Sequence, residues 1–83
     1  MEEAIKLYEN GEFEEAYQKF YHIAITKKDS EAQLYLGIMY EHGEGVEKSL
    51  EKAKYWYKKA YRQKNLDAGF RLQTLEYSTA CRC

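Results

Sequence analysis

The feature of this chain that most restricts its fold is a helical pattern that restarts after a fixed interval. Ala32 and Leu36 are followed 36 positions later by Ala68 and Leu72. Between the two pairs, small and aromatic residues occur at helical spacing and are interrupted by a single loop that contains two glycines. A period of this size is typical of helical hairpins that stack on copies of themselves. The sequence therefore predicts an all-α protein, a solenoid of antiparallel helix hairpins.

Periodicity and helix-ending residues predict five helices joined by short turns. They cover about residues 2–9, 13–26, 31–41, 49–64 and 67–77. Asp29 and Ser30 are predicted to supply the N-cap of the third helix, and Ser30 and Gln33 have the spacing of a capping box. Gly37 lies inside that helix, where glycine costs about 1 kcal/mol relative to alanine. We expect it there because the backbone of another helix approaches closely.

These helices form one repeat domain, residues 1–80. Its predicted parts are a first repeat at about 2–29, a second at about 30–65, a capping helix at about 66–78 and a flexible tail at 79–83. The tail contains Cys81 and Cys83, which are too close together to join distant parts of the fold. We expect both to be free thiols rather than a disulfide framework.

Composition and charge exclude several classes of protein. No apolar run reaches the length of a membrane span and the first residues are acidic, so we expect a cytoplasmic protein without a membrane segment. His22 and His42 are not accompanied by a nucleophile or a carboxylate pair on one face, and the cysteines lack the spacing of a zinc site. The sequence therefore predicts no enzyme, no metal and no cofactor.

One segment resembles a known family. The resemblance rests on small, aromatic and lysine positions of the second predicted repeat. These are Ala32, Leu36, Gly37, Tyr40, Gly43, Gly45, Val46, Lys52, Ala53, Trp56, Tyr57, Lys59 and Ala60. Together they are similar to the Sel-one-like repeat, a relative of the tetratricopeptide repeat. The resemblance implies a right-handed α-solenoid that acts as an adaptor or scaffold for another protein or peptide, without catalytic activity.

Three positions depart from the pattern of that family. Lys28 and Lys64 occupy turns between repeats where the family usually has glycine, so we expect those turns to be strained or to close differently. Gln73 replaces the glycine that permits close packing, so we expect nothing to pack tightly on the fifth helix. A terminal capping helix would have this property.

Helical spacing also predicts which residues face a partner. Residues offset by two positions from the packing stripe fall on the concave side of the solenoid. The partner-binding residues predicted in this way are Lys6, Asn10, Leu34, Ile38, Glu41, His42, Phe70, Thr74 and Tyr77. An exposed apolar strip of this kind is commonly a binding site. The alternative is that these residues complete the core or pack against the tail.

Charge asymmetry supports a second hypothesis. Residues 1–31 contain eight acidic and four basic residues, whereas residues 47–64 contain two acidic and seven basic residues. A small regulator could use the predicted fourth helix, through Lys54, Lys58 and Arg62, to occlude an enzyme or a nucleic-acid-handling complex. Direct nucleic-acid binding is disfavoured by the pI of about 6.1. Homodimerisation through the last helix is a third possibility.

Overall fold

Five helices follow one another in the computed structural model, which describes the backbone of residues 1–80 and the side chains of residues 1–75. They are α1 (Glu2–Glu9), α2 (Phe13–Thr26), α3 (Ser30–His42), α4 (Leu50–Arg62) and α5 (Leu66–Ala80). Residues 1–80 contain no strand. Each helix packs mainly against the next one in the chain, so α1–α2 and α3–α4 are antiparallel hairpins and α5 covers α4. The predicted all-α solenoid is confirmed.

The tail was expected to begin at residue 79, whereas α5 continues to Ala80. Cys81 and Cys83 lie outside the described residues.

The start of α3 differs from the predicted capping box. Asp29, not Ser30, is the N-cap, and its Oδ1 atom accepts hydrogen bonds from the backbone N–H groups of Glu31 (2.8 Å) and Ala32 (3.3 Å). A carboxylate is favoured here because it satisfies free N–H groups at the positive end of the helix dipole. Gln33 therefore does not cap the helix, and its side chain is buried.

The core is a seam of alanines and aromatic rings that runs through both hairpins. Its buried apolar residues are Ala4, Ala16, Phe20, Ala24, Ala32, Leu36, Met39, Tyr40, Ala53, Trp56, Tyr57, Ala60, Ala68 and Leu75. Alanines allow helix axes to approach, and the aromatic side chains fill the remaining space. Leu50 and Tyr61 also match the apolar period of α4, but both are exposed.

Two glycines are covered closely by tyrosine rings of α4. A Cβ atom added to Gly37 would lie 2.4 Å from Cε1 of Tyr57, and one added to Gly69 would lie 2.4 Å from Cδ1 of Tyr61. The close approach expected at Gly37 is present, but the group that approaches is the Tyr57 ring rather than the backbone of another helix. The expectation that nothing packs tightly on α5 is wrong, because Gly69, one turn before Gln73, receives the Tyr61 ring.

The two turns in which lysine replaces glycine adopt left-handed backbone conformations. Lys28 has φ 51° and Lys64 has φ 69°. This conformation costs a residue with a Cβ atom about 1–2 kcal/mol, so the strain expected from the sequence is confirmed. At the second turn, the N–H of Lys64 donates to the carbonyl of Tyr61 (2.8 Å) and the N–H of Asn65 to that of Ala60 (3.2 Å). These bonds satisfy carbonyl groups at the end of α4.

Gly37→Ala and Gly69→Ala form a matched pair that tests whether the packing of α4 is rigid. The Tyr57 side chain is fully buried and cannot move away, whereas Tyr61 is 51% exposed and can. Alanine at position 37 should lower the free energy of unfolding by about 1–3 kcal/mol. Alanine at position 69 should be neutral or stabilising by up to about 1 kcal/mol, because it improves helix propensity. Urea denaturation of both variants measures the difference, and equal losses would contradict it.

Lys64→Gly should increase the free energy of unfolding by about 0.5–1 kcal/mol. The substitution removes the strain of a left-handed residue, and the greater flexibility of glycine in the unfolded chain offsets part of that gain. Lys58→Gly, inside α4, provides the control and should cost about 1 kcal/mol. Thermal and urea denaturation should therefore show changes of opposite sign. A loss of stability in both variants would be the contrary result.

Candidate functional site

An open groove with a volume of about 850 Å³ lies along one side of the protein. Every lining side chain comes from an odd-numbered helix. They are Tyr8 of α1; Glu31, Leu34, Tyr35, Ile38, Glu41 and His42 of α3; and Asp67, Phe70, Arg71 and Thr74 of α5. Because each helix packs on the next one in the chain, α1, α3 and α5 lie on the same side of the protein. The channel between these three helices is the groove.

The groove has an apolar centre. Leu34, Tyr35 and Ile38 are half-buried residues of α3 that pack against the core and also line the groove. The Tyr35 ring stacks on the buried Phe20 ring at a centroid distance of 4.6 Å, which fixes its position. On the α5 side, Phe70 leaves 70% of its surface exposed. The groove therefore presents apolar area that no described residue covers.

Charged residues surround this centre, and most of them are acidic. Glu31 and Asp67 lie in the first turns of α3 and α5, 36 residues apart, and so occupy equivalent repeat positions. Glu41 lines the groove near the end of α3, and Arg71 of α5 supplies a positive charge. Leu34 and Phe70 are also 36 residues apart. The groove thus repeats an acidic residue followed three positions later by an apolar one.

Two partly buried tyrosine hydroxyls hold carboxylates in and beside the groove. The Tyr57 hydroxyl donates to Oε1 of Glu41 (2.6 Å), and the Tyr8 hydroxyl donates to Oε1 of Glu44 (2.7 Å). Burial, followed by the hydrogen bond to the neighbouring carboxylate, raises the pKa of both tyrosines well above the ordinary value. The nearby positive charge of Arg71 opposes part of that rise. Glu41 is therefore oriented by the core rather than free to rotate.

The predicted partner-binding residues are only partly brought together. Six of them line the groove: Leu34, Ile38, Glu41, His42, Phe70 and Thr74. Lys6 and Asn10 are exposed elsewhere, at α1 and its end. The Tyr77 side chain lies outside the described side chains. Lys54, Lys58 and Arg62 lie on α4, away from the groove.

Five lining residues were not predicted from the sequence: Tyr8, Glu31, Tyr35, Asp67 and Arg71. Glu31 and Asp67 lie one helical turn before the predicted Leu34 and Phe70, so helical spacing contained a signal for both. Tyr35 packs against the core and also lines the groove. Tyr8 and Arg71 depend on how far apart the odd-numbered helices lie, which spacing within one helix does not report.

The part of the chain that the structure describes contains no group of three or more His, Cys, Asp or Glu residues that could hold a metal ion. None of its helices is both long and apolar enough to cross a membrane.

Tyr57→Phe tests the hydrogen bond to Glu41 through its effect on pH-dependent stability. A tyrosine with a raised pKa in the folded state keeps its proton while the unfolded chain loses it, so stability falls as the pH rises above about 10. Removing this hydroxyl should reduce that fall by up to about 1.4 kcal/mol per pH unit. Urea denaturation between pH 8 and 11 measures the slope. Tyr55→Phe, which changes an exposed residue, serves as the control, and identical slopes in both variants would contradict the assignment.

Comparison with known proteins identifies the second hairpin. Residues 30–65, which include α3 and α4, match the family model of the Sel1 repeat. No curated protein and no solved structure matches the chain significantly. Sel1 repeats generally mediate protein–protein interaction and are generally not enzymes. The resemblance inferred from the sequence is confirmed: the chain contains a Sel1 repeat, as expected of a Sel1-like repeat protein of the tetratricopeptide-like superfamily.

Proposed function

We propose that this chain is an adaptor module that binds a peptide or a helix of a partner protein in the groove formed by α1, α3 and α5. The observation that carries the proposal is the exposed Phe70 side chain beside half-buried Leu34 and Ile38 in an open groove. Aromatic and aliphatic side chains of a partner would be removed from water there. Apolar anchors of this kind supply most of the affinity of many protein interfaces.

The polar rim would determine which partners bind and in which orientation. Glu31 and Asp67 mark one end of the groove, and Glu41 and His42 lie at the other end of α3. The hydrogen bond from Tyr57 fixes Glu41, so this carboxylate requires little ordering when a partner arrives. Preorganised polar groups increase affinity because less conformational entropy is lost on binding.

An elongated partner fits this site better than a small metabolite does. The groove is open and is lined by three separate helices, whereas small-molecule sites generally enclose most of the ligand surface. A helix or extended segment could lie along α3 and contact α1 and α5 on either side. Recognition would then resemble other helix-in-groove interactions, in which a few apolar anchors enter a channel.

Phe70→Asp and Leu66→Asp provide a matched test of the groove. Both side chains are exposed on α5, at 70% and 75%, but only Phe70 lines the groove. Peptides selected from a random phage-displayed library against the unmodified chain would be measured by calorimetry with each variant. Phe70→Asp should weaken their binding at least about tenfold because an apolar anchor is replaced by a charge. Leu66→Asp should have an effect of less than about threefold.

The same measurement distinguishes the groove from other surfaces. Circular dichroism of both variants should match the unmodified chain, since both substitutions change exposed side chains. If selected peptides bind equally well to Phe70→Asp, the groove is not their site and the proposal fails. Loss of binding only with Lys54→Glu/Lys58→Glu/Arg62→Glu would favour the charged surface of α4 instead.

A further inference from the structure

A second cleft, with a volume of about 370 Å³, lies between the ends of α2 and α4. It shares no residue with the groove. Its lining consists of Ala24, Ile25, Lys28, Gln33, Lys59, Arg62 and Gln63. The family match includes part of this segment but assigns no partner or ligand to the cleft.

All charged residues of the cleft are positive. Lys28, Lys59 and Arg62 line it, and no acidic residue does. Among the residues described, the ion pair within 4.0 Å joins Lys19 to Glu3, so the three cations of the cleft have no carboxylate partner at that distance. The ends of α2 and α4 thus contribute three cations and no carboxylate to one concave site, which favours a negatively charged group there.

The floor of the cleft is fixed by a network of amide groups. Nε2 of Gln63 donates to the carbonyl oxygen of Lys28 (2.6 Å) and to Oε1 of Gln33 (3.0 Å). Gln33 is only 2% exposed, so its side chain is held by packing. These bonds fix the left-handed turn at Lys28. Glycine would form that turn without strain, whereas lysine places a positive charge at the edge of the cleft.

We propose that this cleft binds an acidic segment of a partner protein, in which an apolar residue adjoins one or more Asp or Glu side chains. The carboxylates would be placed among Lys28, Lys59 and Arg62, and the guanidinium of Arg62 can bind a carboxylate through two parallel hydrogen bonds. The apolar residue would contact Ile25, which is 51% exposed, and Ala24 below it. The cleft supplies both parts of this recognition within one small volume.

A protein segment fits the cleft better than a nucleic acid does. No aromatic ring lines the cleft on which a base could stack. The exposed Tyr55 ring of α4, which does not line the cleft, makes an edge-to-face contact with Trp56, and the ammonium group of Lys59 lies 5.3 Å from the centre of the Tyr55 ring. The chain has a net charge of −1, whereas a nucleic-acid site usually extends over a larger basic surface.

The cleft also refines the charged surface predicted from the sequence. Of Lys54, Lys58 and Arg62, only Arg62 lines it. The other two cations come from Lys59 and from Lys28 at the end of α2. The site therefore combines residues from both sides of the α2–α4 junction. Its proposed function is independent of the groove, and an adaptor that uses both sites would join an acidic segment to a second partner.

Two double variants with the same change in net charge test the proposal. Lys59→Glu/Arg62→Glu alters the cleft, and Lys54→Glu/Lys58→Glu alters the same helix outside it. The probe is a short fluorescein-labelled peptide of glutamate and leucine, measured by fluorescence anisotropy at physiological salt. The first pair should weaken binding at least about tenfold and the second less than about threefold, because long-range charge effects are screened. Amide NMR shifts in the unmodified protein should map the peptide to residues around Lys28 and Gln63.

Lys28→Gly gives an independent variant that removes a charge without threatening the fold, since glycine relieves the left-handed turn. It should weaken peptide binding about threefold or more while thermal stability is kept or increased. The proposal is overturned if the peptide does not bind, if both double variants lose equal affinity, or if the NMR shifts map to the groove. Tighter binding of a labelled oligothymidylate, with the same dependence on Lys59 and Arg62, would instead identify a nucleic-acid site.

Discussion

The close contact between the Gly37 backbone and the Tyr57 ring determines the rest of this structure. Because glycine has no Cβ atom, α4 lies directly against α3, and the ring is buried completely. The contact also places the Tyr57 hydroxyl beside Glu41, at the edge of the groove. One packing constraint in the core therefore sets both the hairpin geometry and the position of a charged group on the surface. The alanines of the seam allow the remaining helices to approach in the same way.

The proposed sites follow from the alternation of helices along the chain. Since each helix packs on its sequence neighbour, odd-numbered and even-numbered helices form two different surfaces. The odd-numbered helices carry the groove, in which Glu31, Glu41 and Asp67 outnumber the single guanidinium of Arg71. The junction of α2 and α4 carries a cleft whose charged residues are all positive. A chain with almost no net charge thus offers two surfaces of opposite sign, which favours different partners at each.

Sequence reasoning predicted the helices well because each depends on local signals. Gly11 and Gly43 end helices in left-handed conformations, and the 36-residue interval fixes the equivalence of α3 and α5. It was less successful where two neighbouring residues could occupy the same position. Asp29 displaced Ser30 as the cap, which spacing alone does not resolve. Tyr8 of α1 and Arg71 of α5 line the groove because of the distances between helices, and no periodicity within a helix encodes those distances.

The hydrogen bond from Gln63 to the Lys28 carbonyl has a consequence for cooperativity. It joins the turn that ends the first hairpin to the turn that ends the second, although the two residues are 35 positions apart. In stacked repeats, the coupling between neighbours decides whether units open one at a time or together. This hydrogen bond couples the opening of the two turns. Amide hydrogens near both turns should therefore exchange with solvent in a single cooperative event rather than by separate fraying.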